Sequence, residues 1–221
     1  MREKSYFNHL FFNGLLLEKK VKIDYALVRK IIEGIGKNMT KKIGVIVGST
    51  RKESFNRVVA EKVATLFPAE FEVVFPSIGQ LEMYDQDFDD LGNTPKSWIT
   101  FRQEIKGLDG VLFVTPEYNR SVPPVLKNAL DIASRPYGEN AWNDKPGAII
   151  SVSPGAISGF GANHHLRQIL TFLNVHTMAQ PEAYIGGVMN LINEDGSVKD
   201  DTVGFLQLIV DSYVAWFNRL G

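Results

Sequence analysis

From Lys42 onward, short runs of β-branched and other apolar residues alternate with longer segments in which apolar residues recur at helical spacing. That alternation is the pattern of a parallel sheet with helices packed on its faces. It predicts strands at 43–48, 71–75, 110–115, 147–152 and 175–178, each nearly continuous in apolar residues, as strands covered on both faces require. It predicts helices at 54–66, 95–106, 123–133, 162–172 and 201–219, the last with an apolar face of Val203, Leu206, Leu208, Val210, Val214 and Phe217. Five strands with an unusually polar first strand-to-helix turn point to the order 2-1-3-4-5 over a six-stranded dinucleotide sheet. Ligands of such sheets sit at the carboxyl ends of the strands, so the loops after Val47, Val114 and Val152 are where function is expected.

Composition narrows the chemistry. In 221 residues, 24 Lys and Arg face 25 Asp and Glu, a formal charge of −1, which argues against a nucleic-acid module. The chain has no cysteine, which removes thiolate metal sites, disulfides and a catalytic thiol, and fits a cytoplasmic setting. No apolar run nears the roughly 20 residues of a membrane span: the stretch 10–17 is broken by Asn13 and Gly14, and the charges Glu18, Lys19 and Lys20 follow it. Residues 1–38 stand apart from the 39–221 domain, and a second methionine, Met39, precedes the first strand. They read equally as a dispensable extension or as an extra helix docked on the domain.

Three loops carry the candidate chemistry. The first, Gly48-Ser49-Thr50-Arg51-Lys52-Glu53-Ser54-Phe55-Asn56, runs off a buried strand into a helix. Hydroxyls, a guanidinium, an amide and the free N–H groups of a helix start suit a phosphate; the plainer alternative is Ser54 as a helix cap with Arg51 in solvent. The loop lacks the Gly-Lys-Ser/Thr ending of a triphosphate loop and the Gly-x-Gly-x-x-Gly dinucleotide fingerprint. The second loop, Thr115-Pro116-Glu117-Tyr118-Asn119, offers a flat aromatic face and main-chain N–H groups to a planar ring; alternatively it is a simple turn with Glu117 solvated. The third, Ser151 to Gly161, is rich in small residues that let a ligand approach the backbone, and it leads into a helix bearing His164 and His165. Adjacent histidines do not share a helical face, so no metal site is expected there.

Taken together, these motifs resemble the NADPH-dependent FMN reductase family, in its bacterial chromate/quinone and azo-dye reductase branch. The resemblance spans about residues 41–219. It rests on Gly-Ser-x-Arg-x-x-Ser-x-Asn at 48–56, Pro-Glu-Tyr-Asn at 116–119, Leu-Lys-Asn-Ala-x-Asp at 126–131 and His-Leu-Arg-Gln-Ile-Leu at 165–170. It implies an α/β, flavodoxin-like, doubly wound five-stranded parallel sheet with helices on both faces. It also implies FMN as cofactor and NAD(P)H as co-substrate. Ser49, Thr50, Arg51, Ser54, Phe55 and Asn56 would surround the FMN phosphate, Pro116, Glu117, Tyr118 and Asn119 the ring and ribityl chain, and Ser151, Ser153 and Gly155 the far side. The family pattern further implies a homodimer or homotetramer, with Arg135 at a position associated with assembly. Residues 1–38 are a departure, because such enzymes usually lack them.

The resemblance implies transfer of electrons from reduced nicotinamide through FMN to a small-molecule acceptor, such as a quinone, azo dye, flavin or chromate, by a ping-pong route. No catalytic side chain is expected, since the cofactor carries the chemistry. Two alternatives are a flavodoxin-type electron carrier without its own NAD(P)H oxidation and a cofactor-free phosphate-binding domain.

Overall fold

The computed structural model describes residues 40–220; the expectations for residues 1–38 lie outside the described residues. Strands β1 (Lys41–Val47), β2 (Phe71–Val74), β3 (Gly110–Thr115) and β4 (Pro146–Val152) form a parallel sheet in the order β2-β1-β3-β4. Every residue of β3 and β4 is buried, which explains why their sequences show no polar alternation. Ile43 pairs with Gly110 and Val47 with Val114 across β1 and β3, while Thr115 pairs with Ser151 across β3 and β4. This register brings the carboxyl ends of the three central strands level, so that their following loops meet.

The fifth position is divided. β5 (His176–Thr177) pairs with Pro146 and Gly147 at the start of β4, and β6 (Ala183–Ile185) pairs with Ile150 to Val152 at its end. The sequence pattern finds β5 within the expected strand at 175–178 and misses β6. Pro181 lies between the two segments and has no N–H to give to a ladder, so the strand breaks there. The order 2-1-3-4-5 stands, with β6 continuing the fifth position.

Helices cover both faces. α1 (Phe55–Ala64) and α6 (Asp200–Leu220) pack on one face, with Val59, Val63, Leu206, Ile209, Val210 and Phe217 against Ile43, Val45, Leu112, Val114 and Ile150. α3 (Lys96–Lys106), α4 (Pro124–Ala133) and α5 (Phe160–Phe172) cover the other face against Ile46, Val111, Phe113 and Ile149. The expected face of α6 needs correction. Leu208 is 53% exposed, whereas Thr202, Leu206, Ile209, Val210, Tyr213 and Phe217 are buried. At 100° per residue Leu208 projects away from the stripe that Leu206 and Val210 share, so its hydrophobicity alone misplaced it.

A short helix, α2 (Gln86–Asp90), was not expected from the sequence. It is tied down electrostatically: Arg102 Nη1 and Nη2 donate to the two oxygens of Asp89 at 2.8 and 2.7 Å, and Arg102 Nε donates to the Ile132 carbonyl at 2.9 Å. These bonds hold the Asp89 carboxyl below its ordinary range. At the opposite end of the sheet from the loops, Gly110 is required by close packing. A Cβ there would run into the Tyr213 hydroxyl, which donates to the Pro146 carbonyl at 3.2 Å.

Candidate functional site

The three loops enclose a cleft of about 140 Å³ lined by Ser49, Arg51, Ser54, Phe55, Asn56, Pro116, Glu117, Tyr118, Val152, Ser153, Pro154 and Val188. Nine of the expected residues therefore meet in one place. The first loop leaves β1 after the Gly48 N–H has donated to the Val114 carbonyl at 2.8 Å, which anchors it beside the second loop. Ser54 caps α1, its Oγ accepting from the Arg57 N–H at 3.3 Å. The cap reading and the ligand reading are thus compatible, because the N–H groups of Phe55 and Asn56 still have no acceptor among the described residues. Asn56 is buried on the cleft floor, and its Oδ1 has no hydrogen-bond partner among the described residues. A buried acceptor without a partner is costly; a hydroxyl donor of a ligand in the cleft would satisfy it, whereas a phosphate oxygen, itself an acceptor, would not. Arg51 is exposed above it, with Nη2 donating to the Glu53 carbonyl at 3.1 Å.

The second loop is a two-residue hairpin. Tyr118 and Ser121 exchange N–H to carbonyl bonds at 2.9 Å each way, and both central residues are left-handed, Asn119 at φ 50° and Arg120 at φ 66°. This is the geometry of a type I′ turn. Glu117 is not the solvated charge of the plainer reading. Its side chain is 11% exposed, Oε2 accepts from the Ala162 N–H in the first turn of α5 at 3.0 Å, and Oε1 accepts from Arg120 Nη1 at 3.2 Å. The next contact is equally tight, because a Cβ on Gly161 would lie 2.7 Å from the Arg120 carbonyl oxygen. The hairpin is therefore seated on the start of α5, and Tyr118, 46% exposed, is held at the cleft wall.

Four expected residues do not line the cleft. Thr50 turns its methyl towards Gly79, in the loop after β2. Asn119 occupies the corner of the hairpin, where its tolerance of left-handed backbone suits it. Ser151 is fully buried and donates its hydroxyl to the Ser158 carbonyl at 2.8 Å, so it shapes the third loop from beneath. The Gly155 N–H donates to Ser153 Oγ at 3.1 Å, placing Gly155 behind Ser153. Conversely, Val152, Pro154 and Val188 line the cleft without having been singled out. Val188 begins a 3₁₀ turn, Val188–Leu191, far along the chain, and no local pattern marks it. The two histidines diverge. His164 Nε2 pairs with the Tyr184 hydroxyl at 3.2 Å, and His165 Nδ1 pairs with Ser121 Oγ at 3.0 Å.

One end of the cleft therefore offers helix-start N–H groups, hydroxyls and a guanidinium, the donor set of a phosphomonoester site. The remainder is flanked by Pro116, Tyr118, Val152 and Pro154, apolar walls suited to a planar ring. These features fit FMN. No helix among the described residues is long and apolar enough to cross a membrane.

Comparison with known proteins agrees with the geometry. A quinone reductase of Pseudomonas putida is 51% identical over 174 residues, spanning 79% of this chain and 93% of the relative. A 2-hydroxy-1,4-benzoquinone reductase of Burkholderia sp is 48% identical over 179 residues, 80% of this chain and 97% of that protein. The solved flavoenzyme FerB, an NAD(P)H:(acceptor) oxidoreductase of Paracoccus denitrificans, superposes with a TM-score of 0.76 at 39% identity, covering 82% of this chain and 99% of FerB. With residues 41–189 matching the description "NADPH-dependent FMN reductase", the chain belongs to the NADPH-dependent FMN reductase family and is an NAD(P)H-dependent oxidoreductase with FMN as its cofactor.

Proposed function

We propose that this protein is a quinone reductase whose active site is the cleft between the loops at 48–56, 115–121 and 151–161. The observation that carries the reading is the open N–H groups of Phe55 and Asn56 at the start of α1, beside Ser49, Arg51 and Ser54, on a cleft whose other walls are largely apolar. The names of the relatives support a quinone as acceptor. Bound FMN supplies the two-electron exchange between nicotinamide and acceptor.

The chain's own residues hold and shield it. Ser49, Arg51, Ser54 and Asn56, the last through its open backbone N–H, bind the phosphate, with Arg51 closing over it from solvent. Pro116, Glu117 and Tyr118 form the wall along the ring, with Asn119 at the corner of the hairpin that carries them, and Ser153, backed by Ser151 and Gly155, forms the opposite side. Among the described residues, the side chains with acid-base chemistry that line the cleft are the already engaged Glu117 and the phenol of Tyr118. A quinone draws its protons from water, so none is required.

One open cleft serves both nicotinamide and acceptor, which binds them in turn and gives ping-pong kinetics. The acceptors extend to azo dyes, free flavins and chromate, which draw on the same reduced flavin. Assembly as a homodimer or homotetramer, with Arg135 at the contact, and residence in the cytoplasm complete the reading. The domain proper is residues 39–221, with 1–38 as an extension.

The test is an absorbance scan of purified protein through the flavin bands, repeated after anaerobic NADPH and again after benzoquinone. Bleaching by NADPH and recovery with quinone are expected, with parallel lines in double-reciprocal plots. A colourless protein that gains no absorbance with added FMN would overturn the assignment.

A further inference from the structure

We infer that Arg120 is the contact for a phosphate group of the nicotinamide dinucleotide. This rests on the proposed function above and adds a residue to it. The reaction brings two phosphate-bearing molecules to one cleft. The donors of the first loop, with Arg51, suffice for one of them. The second loop then carries another guanidinium, bonded to Glu117, a residue of the cleft lining.

Three features set Arg120 apart. It holds a left-handed backbone at φ 66° in the second central position of a type I′ turn, where glycine is the favoured residue. A side chain kept against that preference has to be useful as a side chain. Its base is rigid: the Tyr118–Ser121 bonds, the Glu117 bond to the Ala162 N–H and the close seat of Gly161 under the Arg120 carbonyl fix the turn on α5. Its guanidinium, in contrast, is 67% exposed, and only Nη1 has an acceptor among the described residues, Glu117 Oε1 at 3.2 Å. Most of its five N–H donors remain available in the planar fork that suits phosphate.

The decisive variant is Arg120→Gly. Glycine relieves the backbone at this φ, so the turn is retained while the guanidinium is lost. KM for NADPH and for NADH is measured against a fixed quinone, together with flavin content and Tm. The expected result is a rise in KM of about tenfold, the loss of one charge-assisted bond, with flavin content kept and Tm unchanged or higher. A rise confined to NADPH assigns the contact to the 2′-phosphate; an equal rise for both assigns it to the diphosphate bridge. Arg120→Lys recovers part of the loss by restoring charge without the fork. Lys106→Gln, which removes a positive charge at the far end of α3, leaves both KM values unchanged. Unaltered KM values in Arg120→Gly overturn the inference while the proposed function stands. Wild-type protein that lacks flavin or does not oxidise NAD(P)H overturns both.

Discussion

Replacing Glu117 by alanine cuts the connection between the second loop and the helix that follows the third. In the native chain one carboxylate oxygen accepts from the Ala162 N–H and the other from Arg120. α5 begins with Gly159 as its cap, which brings no side-chain acceptor, so Glu117 supplies from another loop what a capping residue would otherwise supply. A hydrogen bond from a backbone N–H to a nearly buried carboxylate contributes about 1.5–3 kcal/mol. The Arg120 arm, largely in solvent, adds less than about 1 kcal/mol. Glu117→Ala should therefore lose about 2–3 kcal/mol, a fall in Tm of about 4–12 °C for a domain of this size. Glu117→Gln keeps a carbonyl oxygen for Ala162 and should lose about 1 kcal/mol. Both variants are melted by scanning calorimetry with excess FMN and titrated with FMN by fluorescence quenching. The hairpin carrying Tyr118 loosens in the alanine variant, so its FMN affinity should fall as well, by up to about tenfold for each 1.4 kcal/mol transmitted to the cleft. If alanine and glutamine variants both melt at the wild-type temperature and bind FMN as wild type does, the joint between the loops carries no energy and the reasoning fails.

Arg51→Ala should weaken FMN binding by about tenfold or more while leaving the turnover of loaded enzyme nearly intact, because in the proposed site its guanidinium meets the phosphate end and not the ring; equilibrium titration of stripped protein checks this. Asp89 has a folded pKa below its unfolded value because Arg102 donates to both its oxygens. The pair's stabilisation is thus complete above about pH 4 and is lost as pH falls through the folded value. Asp89→Asn should cost about 3 kcal/mol at neutral pH and flatten that acid limb, measured by urea denaturation between pH 3 and 7. Gly110→Ala drives a methyl into the Tyr213 hydroxyl, and should lower Tm by several degrees unless Tyr213→Phe accompanies it, a rescue that calorimetry of the double variant detects.

Much of this architecture was legible in the order of residues along the chain. β1 from Ile43 onward, β3 and β4 are nearly continuous in apolar residues because both their faces are covered, and that distinguishes them from half-exposed strands. The helix starts at Ser54, Pro95 and Pro123 are local chemistry: a hydroxyl that caps, and prolines that cannot donate and so stand where no donor is needed. β6 and α2 escaped notice because their stability is not local. Three residues of β6 are a strand only because Ile150 to Val152 lie beside them, and α2 is held by Arg102 from the next helix.

The cleft divides the same way. Residues within one loop, such as Ser49, Arg51, Ser54 and Asn56, can be grouped from sequence because eight covalently linked positions cannot stray far from one another. Val188 could not be grouped with them, being more than a hundred residues away and marked by nothing but its size. Ser151 shows the converse: its hydroxyl had the right chemistry in the right loop, and folding directed it to the Ser158 carbonyl instead. Sequence alone settled the elements whose stability is local and the loops that carry polar chemistry, since periodicity and capping act over a few residues. Which of those side chains face one space, and which are consumed in holding the loops together, was decided by the sheet register and the seat of the Glu117 hairpin on α5. Contacts between residues distant in the chain are determined only when the whole core packs.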